Sequence, residues 1–102
     1  MINVQIPESQ IRDFCQRYHV RTLELFGSVL RDDFRAESDV DVLVEFEEDA
    51  RPTLRDLLAM EQELSKIFGR KVDLGEREAV LEDPNPIRRQ HILNSTKVIY
   101  AR

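Results

Sequence analysis

Tryptophan is absent from these 102 residues, cysteine occurs once, glycine three times and proline four times. The lone thiol, Cys15, has no partner within the chain, which excludes a disulfide scaffold and agrees with a reducing compartment. No apolar run approaches the roughly 20 residues that a membrane helix requires, and the N-terminus lacks the basic-then-apolar order of a signal peptide. A soluble, cytoplasmic chain is expected. No repeat, low-complexity tract or linker interrupts it, so one domain over residues 1–102 is expected, with no room for a separate substrate-binding domain. A chain of this size buries about 65% of the surface it exposes when unfolded and needs neither a disulfide nor a structural metal to fold.

Charge is plentiful but uneven. Twenty acids face 15 bases, for a net charge of −5, alongside 41% hydrophobic residues. Residues 32–49 hold nine acids against the single Arg35, a local balance of −8, and the remainder is +3. Residues 84–102 contain Arg88, Arg89, Lys97 and Arg102 and no acid. An acidic block is a poor surface for duplex nucleic acid, whose phosphates seek basic stripes, but it suits cations.

Ile11, Phe14, Cys15 and Tyr18 fall on one face of a helix expected over 8–19, with Pro7 placed to begin it. Thr22 to Phe26 alternates and meets Gly27-Ser28, a strand running into a turn. Residues 40–46, Val-Asp-Val-Leu-Val-Glu-Phe, form the strongest strand pattern. Thr53 and Asp56 resemble a capping box ahead of a helix over 54–68, whose Leu54, Leu57, Leu58, Leu64 and Phe68 keep helical spacing and which Gly69 closes in a left-handed cap. Lys71 to Leu74 reads as a short strand, Asn85-Pro86 opens a helix of about 86–94, and Lys97 to Tyr100 is a last strand. The fold class is α/β or α+β: a single mixed sheet with helices packed on it, in the order α-β-β-α-β-α-β.

Chemistry concentrates in Gly27-Ser28, ten further residues, then Asp39-Val40-Asp41. The side-chain period of a strand puts Asp39 and Asp41 on one face and Val40, Val42 and Val44 on the other. Paired carboxylates on an apolar strand repel unless a cation lies between them, and oxygen ligands suit magnesium, which is commonly completed by substrate phosphates. Gly27 lets backbone approach a ligand, the Ser28 hydroxyl can donate to a phosphate, and Arg31 can add positive charge. Asp73 completes a third carboxylate if its strand pairs beside residues 40–46. Together these fit a two-metal phosphoryl or nucleotidyl transfer centre.

Plainer readings stand beside this one. An isolated Asp-x-Asp is ordinarily a solvated strand edge, and a lone Gly-Ser a turn. Ser28 as a hydrolase nucleophile lacks an obvious base, since His19 ends a helix and His91 lies in the basic C-terminal segment, where a surface or packed role is expected. A calcium loop is excluded because its glycine and distal glutamate are missing. Cys15 is expected in the core. Asp32, Asp33, Glu47, Glu48 and Asp49 are expected to be solvated charges, and Arg88 and Arg89 a surface or a contact to nucleotide or acidic partner.

Gly27-Ser28-Val29-Leu30-Arg31 followed by Ser38-Asp39-Val40-Asp41-Val42-Leu43-Val44, with Val72-Asp73-Leu74 beyond, resembles the signature of the minimal nucleotidyltransferases of the DNA polymerase beta-like superfamily. The resemblance extends over nearly the whole chain, departing where Leu30 and Asp32 replace a small residue and a glycine. It implies that Asp39 and Asp41 bind Mg²⁺ and through it the triphosphate of ATP. It gives Asp73 a second metal and the activation of the attacking hydroxyl, and gives Gly27 and Ser28 the β- and γ-phosphates. It further implies an antitoxin encoded beside a HEPN-type ribonuclease toxin, which some members silence by moving AMP onto a tyrosine hydroxyl. Alternatives are a non-catalytic module that neutralises a toxin by complex formation, suggested by the acidic block and basic tail, and nucleotide transfer to a small molecule such as an aminoglycoside.

Overall fold

The computed structural model describes residues 4–31, 34, 35 and 37–102. Along the chain come α1 (Glu8–Arg17), β1 (Val20–Phe26), a 3₁₀ turn (Gly27–Leu30), β2 (Val40–Phe46), α2 (Leu54–Phe68), β3 (Val72–Glu76), α3 (Arg77–Leu81), α4 (Pro86–Leu93) and β4 (Thr96–Ala101). The four strands form one mixed sheet in the order β3-β2-β1-β4. β1 runs antiparallel to both β2 and β4, whereas β2 and β3 are parallel. A parallel pair cannot be joined by a hairpin, and α2 supplies the crossover.

Local chemistry accounts for most boundaries. The Thr53 hydroxyl accepts from the Asp56 N–H at 3.1 Å while the Asp56 carboxylate accepts from the Thr53 N–H at 2.9 Å, so the capping box forms with aspartate in place of glutamate. Gly69 ends α2 at φ +66 in the left-handed region. The Asn85 side chain accepts from the N–H groups of Ile87 and Arg88, with Pro86 in the first turn of α4.

Several boundaries differ from expectation: β1 begins at Val20 rather than Thr22, β3 covers Val72–Glu76 rather than Lys71 to Leu74, and β4 covers Thr96–Ala101 rather than Lys97 to Tyr100. α1 stops at Arg17 rather than residue 19, because the chain reverses through His19 at φ +57 and β1 starts at Val20. α3 is an addition: its five residues are too short to declare a helical period.

One face of the sheet carries the core. Leu23 and Leu25 of β1, Val40, Val42 and Val44 of β2 and Val72 of β3 are buried with Ile11, Phe14 and Cys15 of α1 and Met60 and Leu64 of α2. Leu54 and Leu58 do not join the buried stripe of α2. They are 73% and 55% exposed, and Leu57, Met60 and Leu64 carry the packing. By the alternation of β2, Asp41 and Leu43 face the opposite side. There Leu43 is buried and Glu24 of β1, 7% exposed, accepts from Arg77 of α3 at 2.6 Å. Arg77 thus fastens α3 over one end of the sheet's second face. No helix among the described residues is long and apolar enough to cross a membrane.

Candidate active site

The parallel β2–β3 ladder sets Asp41 directly beside Asp73, with Val40 beside Val72 and Val42 beside Leu74. Adjacent residues of an in-register pair project from the same face, so two carboxylates lie abreast. β3 is held from both sides. The Val40 N–H donates to the Lys71 carbonyl at 2.9 Å. On the other side, Ser65 Oγ and Glu61 Oε2 of α2 accept from the N–H groups of Val72 and Leu74 at 3.0 and 2.9 Å. Asp73 therefore sits on a strand with little freedom to slide.

Asp39 lies one residue ahead of β2 and brings a third carboxylate to the same end of the sheet. Burial pushes the Asp41 carboxyl above its ordinary value of 3.8, the charges of Asp73 and Asp39 push it the same way, and Arg31 pulls it down. Asp73, Asp39 and Arg31 thus all act on the Asp41 carboxylate. Lys71 Nζ stands 4.0 Å from Asp39 Oδ2, but both side chains are well exposed and the pair contributes little.

Gly27 is required at its place. Its φ is +76, and a Cβ built there would stand 2.4 Å from Asp41 Oδ2. The backbone at the strand-to-turn junction thus runs against the carboxylate, and a side chain there would take up a strained φ and displace Asp41. Ser28 follows in the 3₁₀ turn, which the Arg31 N–H closes onto the Ser28 carbonyl at 2.9 Å. Gly27, Ser28, Arg31 and Asp41 line a cavity of about 350 Å³ together with Phe26, Leu30 and, from α4, His91, Ile92 and Ser95. That volume lies within the range of small-ligand sites.

His91 was expected at the surface or packed away. It is exposed, as anticipated, but it also lines this cavity. No local signal reveals this, because only the return of α4 toward the Gly27 turn brings it there.

A carboxylate set of hard oxygen donors under mutual repulsion fits a divalent cation such as Mg²⁺. Among the described residues no three ligating side chains already converge on one ion position.

Other charged residues settle elsewhere. Glu47 is not a solvated charge: its side chain is 18% exposed and paired with Arg102 at 2.9 Å. Glu48 and Asp49 are exposed as expected. Arg88 pairs with Asp83 at 2.7 Å, and Cys15 is buried in the core. Asp32 and Asp33 lie outside the described residues. A second cavity, about 400 Å³, opens at the far end of β2 among Glu45, Glu47, Glu48, Glu76 and Glu78. It touches neither the Gly27 turn nor the three aspartates, so size alone does not mark the site.

Residues 8–99 match the nucleotidyltransferase domain family. The chain is 38% identical over 63 residues to the protein adenylyltransferase MntA of Thermococcus cleftensis, a match spanning 62% of each chain. It is 43% identical over 58 residues to a Methanocaldococcus jannaschii chain, spanning 57% of this chain and 58% of that one. The aligned stretches thus span about three fifths of the length of these relatives. In fold the chain is similar to a toxin–antitoxin crystal structure with AMP-PNP, at a TM-score of 0.70 and 17% identity over 95% of this chain and 75% of that one. It is also similar to a structure of a tri-AMPylated Shewanella oneidensis HEPN toxin in complex with its MNT antitoxin, at a TM-score of 0.61 and 18% identity over 93% and 70% of the two chains.

Proposed function

Because the chain belongs to the nucleotidyltransferase domain family, we propose that it transfers AMP from ATP to a tyrosine hydroxyl of a HEPN-type toxin and so acts as an antitoxin. The observation that carries this reading is the meeting of Asp41, Asp73 and Asp39 beside a glycine turn whose backbone approaches Asp41 so closely that a Cβ there would displace the carboxylate. The named activity of the Thermococcus relative and the AMPylated toxin of the Shewanella complex support a HEPN-type toxin as the protein that receives AMP.

In this reading Asp39, Asp41 and Asp73 hold two Mg²⁺ ions, which when bound supply positive charge to the triphosphate. The carboxylates' mutual repulsion makes them a strong acceptor for that charge. Gly27 and Ser28 hold the β- and γ-phosphates, the glycine by letting its backbone approach and the serine by donating its hydroxyl. Arg31 balances phosphate charge at the mouth of the turn. Ile92, Leu30 and Phe26 give the cavity an apolar wall for the nucleoside, and His91 and Ser95 give it hydrogen-bonding groups. The acceptor oxygen attacks the α-phosphorus as the bond to the β-phosphate oxygen breaks, and pyrophosphate leaves. Asp73, exposed on its strand, receives the acceptor's proton. Orientation of the acceptor then falls to the partner protein.

Incubating the chain with its purified HEPN partner, ATP and Mg²⁺ should add one or more adenylyl masses to the partner, and the Asp41→Asn variant should add none. Neutralisation of the toxin without any mass change, equal for wild type and Asp41→Asn, would replace this reading with inhibition by complex formation.

A further inference from the structure

Arg70 belongs neither to the carboxylate set nor to the cavity. It follows Gly69 in the turn between α2 and β3, where its N–H donates to the Ser65 carbonyl at 3.1 Å. Its guanidinium crosses to the segment that enters β2. Nη2 donates to the carbonyl of Arg35 in a short contact and to that of Ser38 at 3.4 Å, and the guanidinium carbon stands 4.2 Å from the centre of the Phe34 ring. Arg35 and Ser38 are themselves closed into a turn. The Ser38 N–H donates to the Arg35 carbonyl at 3.0 Å, and Ser38 Oγ accepts from the Arg35 N–H at 3.0 Å. The Arg70 Nε is buried and makes no hydrogen bond, a cost that a side chain merely lying on the surface would not incur.

Of the three aspartates, only Asp39 stands outside the strand ladders. Asp41 and Asp73 are fixed by the pairing of β2 with β3, and Asp39 is anchored on one side through Val40. On its other side the neighbour is Ser38, whose carbonyl Arg70 holds. We propose that Arg70 is a positioning residue: stacked on Phe34 and bonded to Arg35 and Ser38, it ties the approach to β2 onto the start of β3 and so sets Asp39 against Asp41 and Asp73. Arginine suits this task because its planar fork stacks and donates at once, whereas lysine brings only a point charge. The consequence for rate rests on the nucleotidyl-transfer reading; the clamp itself does not.

Hydrogen exchange of the full chain, without metal or nucleotide, reads the clamp directly. In Arg70→Ala the Ser38 amide should exchange about tenfold faster or more, the scale of a lost charge-assisted hydrogen bond, while the amides of β1 and α2 keep their protection. In the transfer assay kcat/KM for ATP should fall by about 10²-fold, because a displaced Asp39 misplaces both the reacting groups and the triphosphate. Arg70→Lys should behave like Arg70→Ala, and full recovery by lysine would overturn the clamp in favour of charge alone. Unchanged Ser38 exchange in Arg70→Ala would also overturn it. Should Arg70→Ala lose protection throughout, Phe34→Leu, which removes the stacked ring and keeps an apolar side chain against the core, must still speed Ser38 exchange for the proposal to stand. Faster exchange in a chain whose wild type transfers nothing would count against the transfer reading and leave the clamp standing.

Discussion

Replacing Gly27 with alanine perturbs two quantities that the structure separates. The first is backbone strain: at φ +76 an L-residue costs about 1–2 kcal/mol, or about 4–16 °C in Tm for a domain of this size. The second is a collision. The new Cβ would lie 2.4 Å from Asp41 Oδ2, and real contacts stay above 3.0 Å, so the carboxylate must retreat by at least about 0.6 Å. Displacements near 1 Å at a reacting centre can cost about 10²-fold in rate. Gly69 provides the control, because its φ is +66 and a Cβ there meets nothing within 4 Å. Gly69→Ala should therefore lose comparable stability, followed by thermal melting, and keep its transfer rate at temperatures where both variants are folded. Gly27→Ala should lose both. Equal rates for the two variants would refute the assignment of Gly27 to the reacting centre, and an unchanged melt for both would refute the strain.

In chelator at neutral pH, Asp41→Asn should melt above wild type even as it abolishes transfer. The folded-state pKa of Asp41 is raised, so its ionisation opposes folding. Wild type should recover the difference as pH falls through that raised pKa, above the ordinary 3.8. No such convergence in melts taken from neutral to acidic pH would contradict the crowding of the three carboxylates. Arg77→Met should destabilise the chain by about 2–3 kcal/mol in urea titrations by leaving the Glu24 carboxylate buried without its partner, and the double variant with Glu24→Leu should regain most of that. Burial pushes the Cys15 thiol up to about 12, so iodoacetamide at pH 8 should leave the native chain unmodified and label it only on unfolding; rapid native labelling would place Cys15 outside the core.

Elements whose instructions lie within a few residues were legible in the amino-acid order. Thr53, Asp56 and Gly69 bound α2 at Leu54 and Phe68, and the β-branched run from Val40 to Phe46 coincides with β2. α1 was read two residues too long because its apolar face continues to Tyr18, while the reversal at His19 leaves no hydrophobic signature. The stripe on α2 was blurred for a related reason. Leucines at 54, 57, 58 and 64 keep helical spacing on either side of the true face, and the neighbours alone select Leu57, Met60 and Leu64.

By itself the sequence determined the types and order of the main elements, the face that Val40, Val42 and Val44 would bury, and which residues could carry chemistry, because hydrophobic period, caps and side-chain type are local properties. Tertiary structure decided what those residues do together. The pairing of Asp41 with Asp73 depends on a parallel register closed across α2, and the arrival of His91 at the Gly27 cavity depends on where α4 returns. The reach of Arg70 to Ser38 and the burial of Glu24 beneath Arg77 join residues 32 and 53 positions apart. Contacts at such separations follow from how helices close over a sheet, and no local period encodes that.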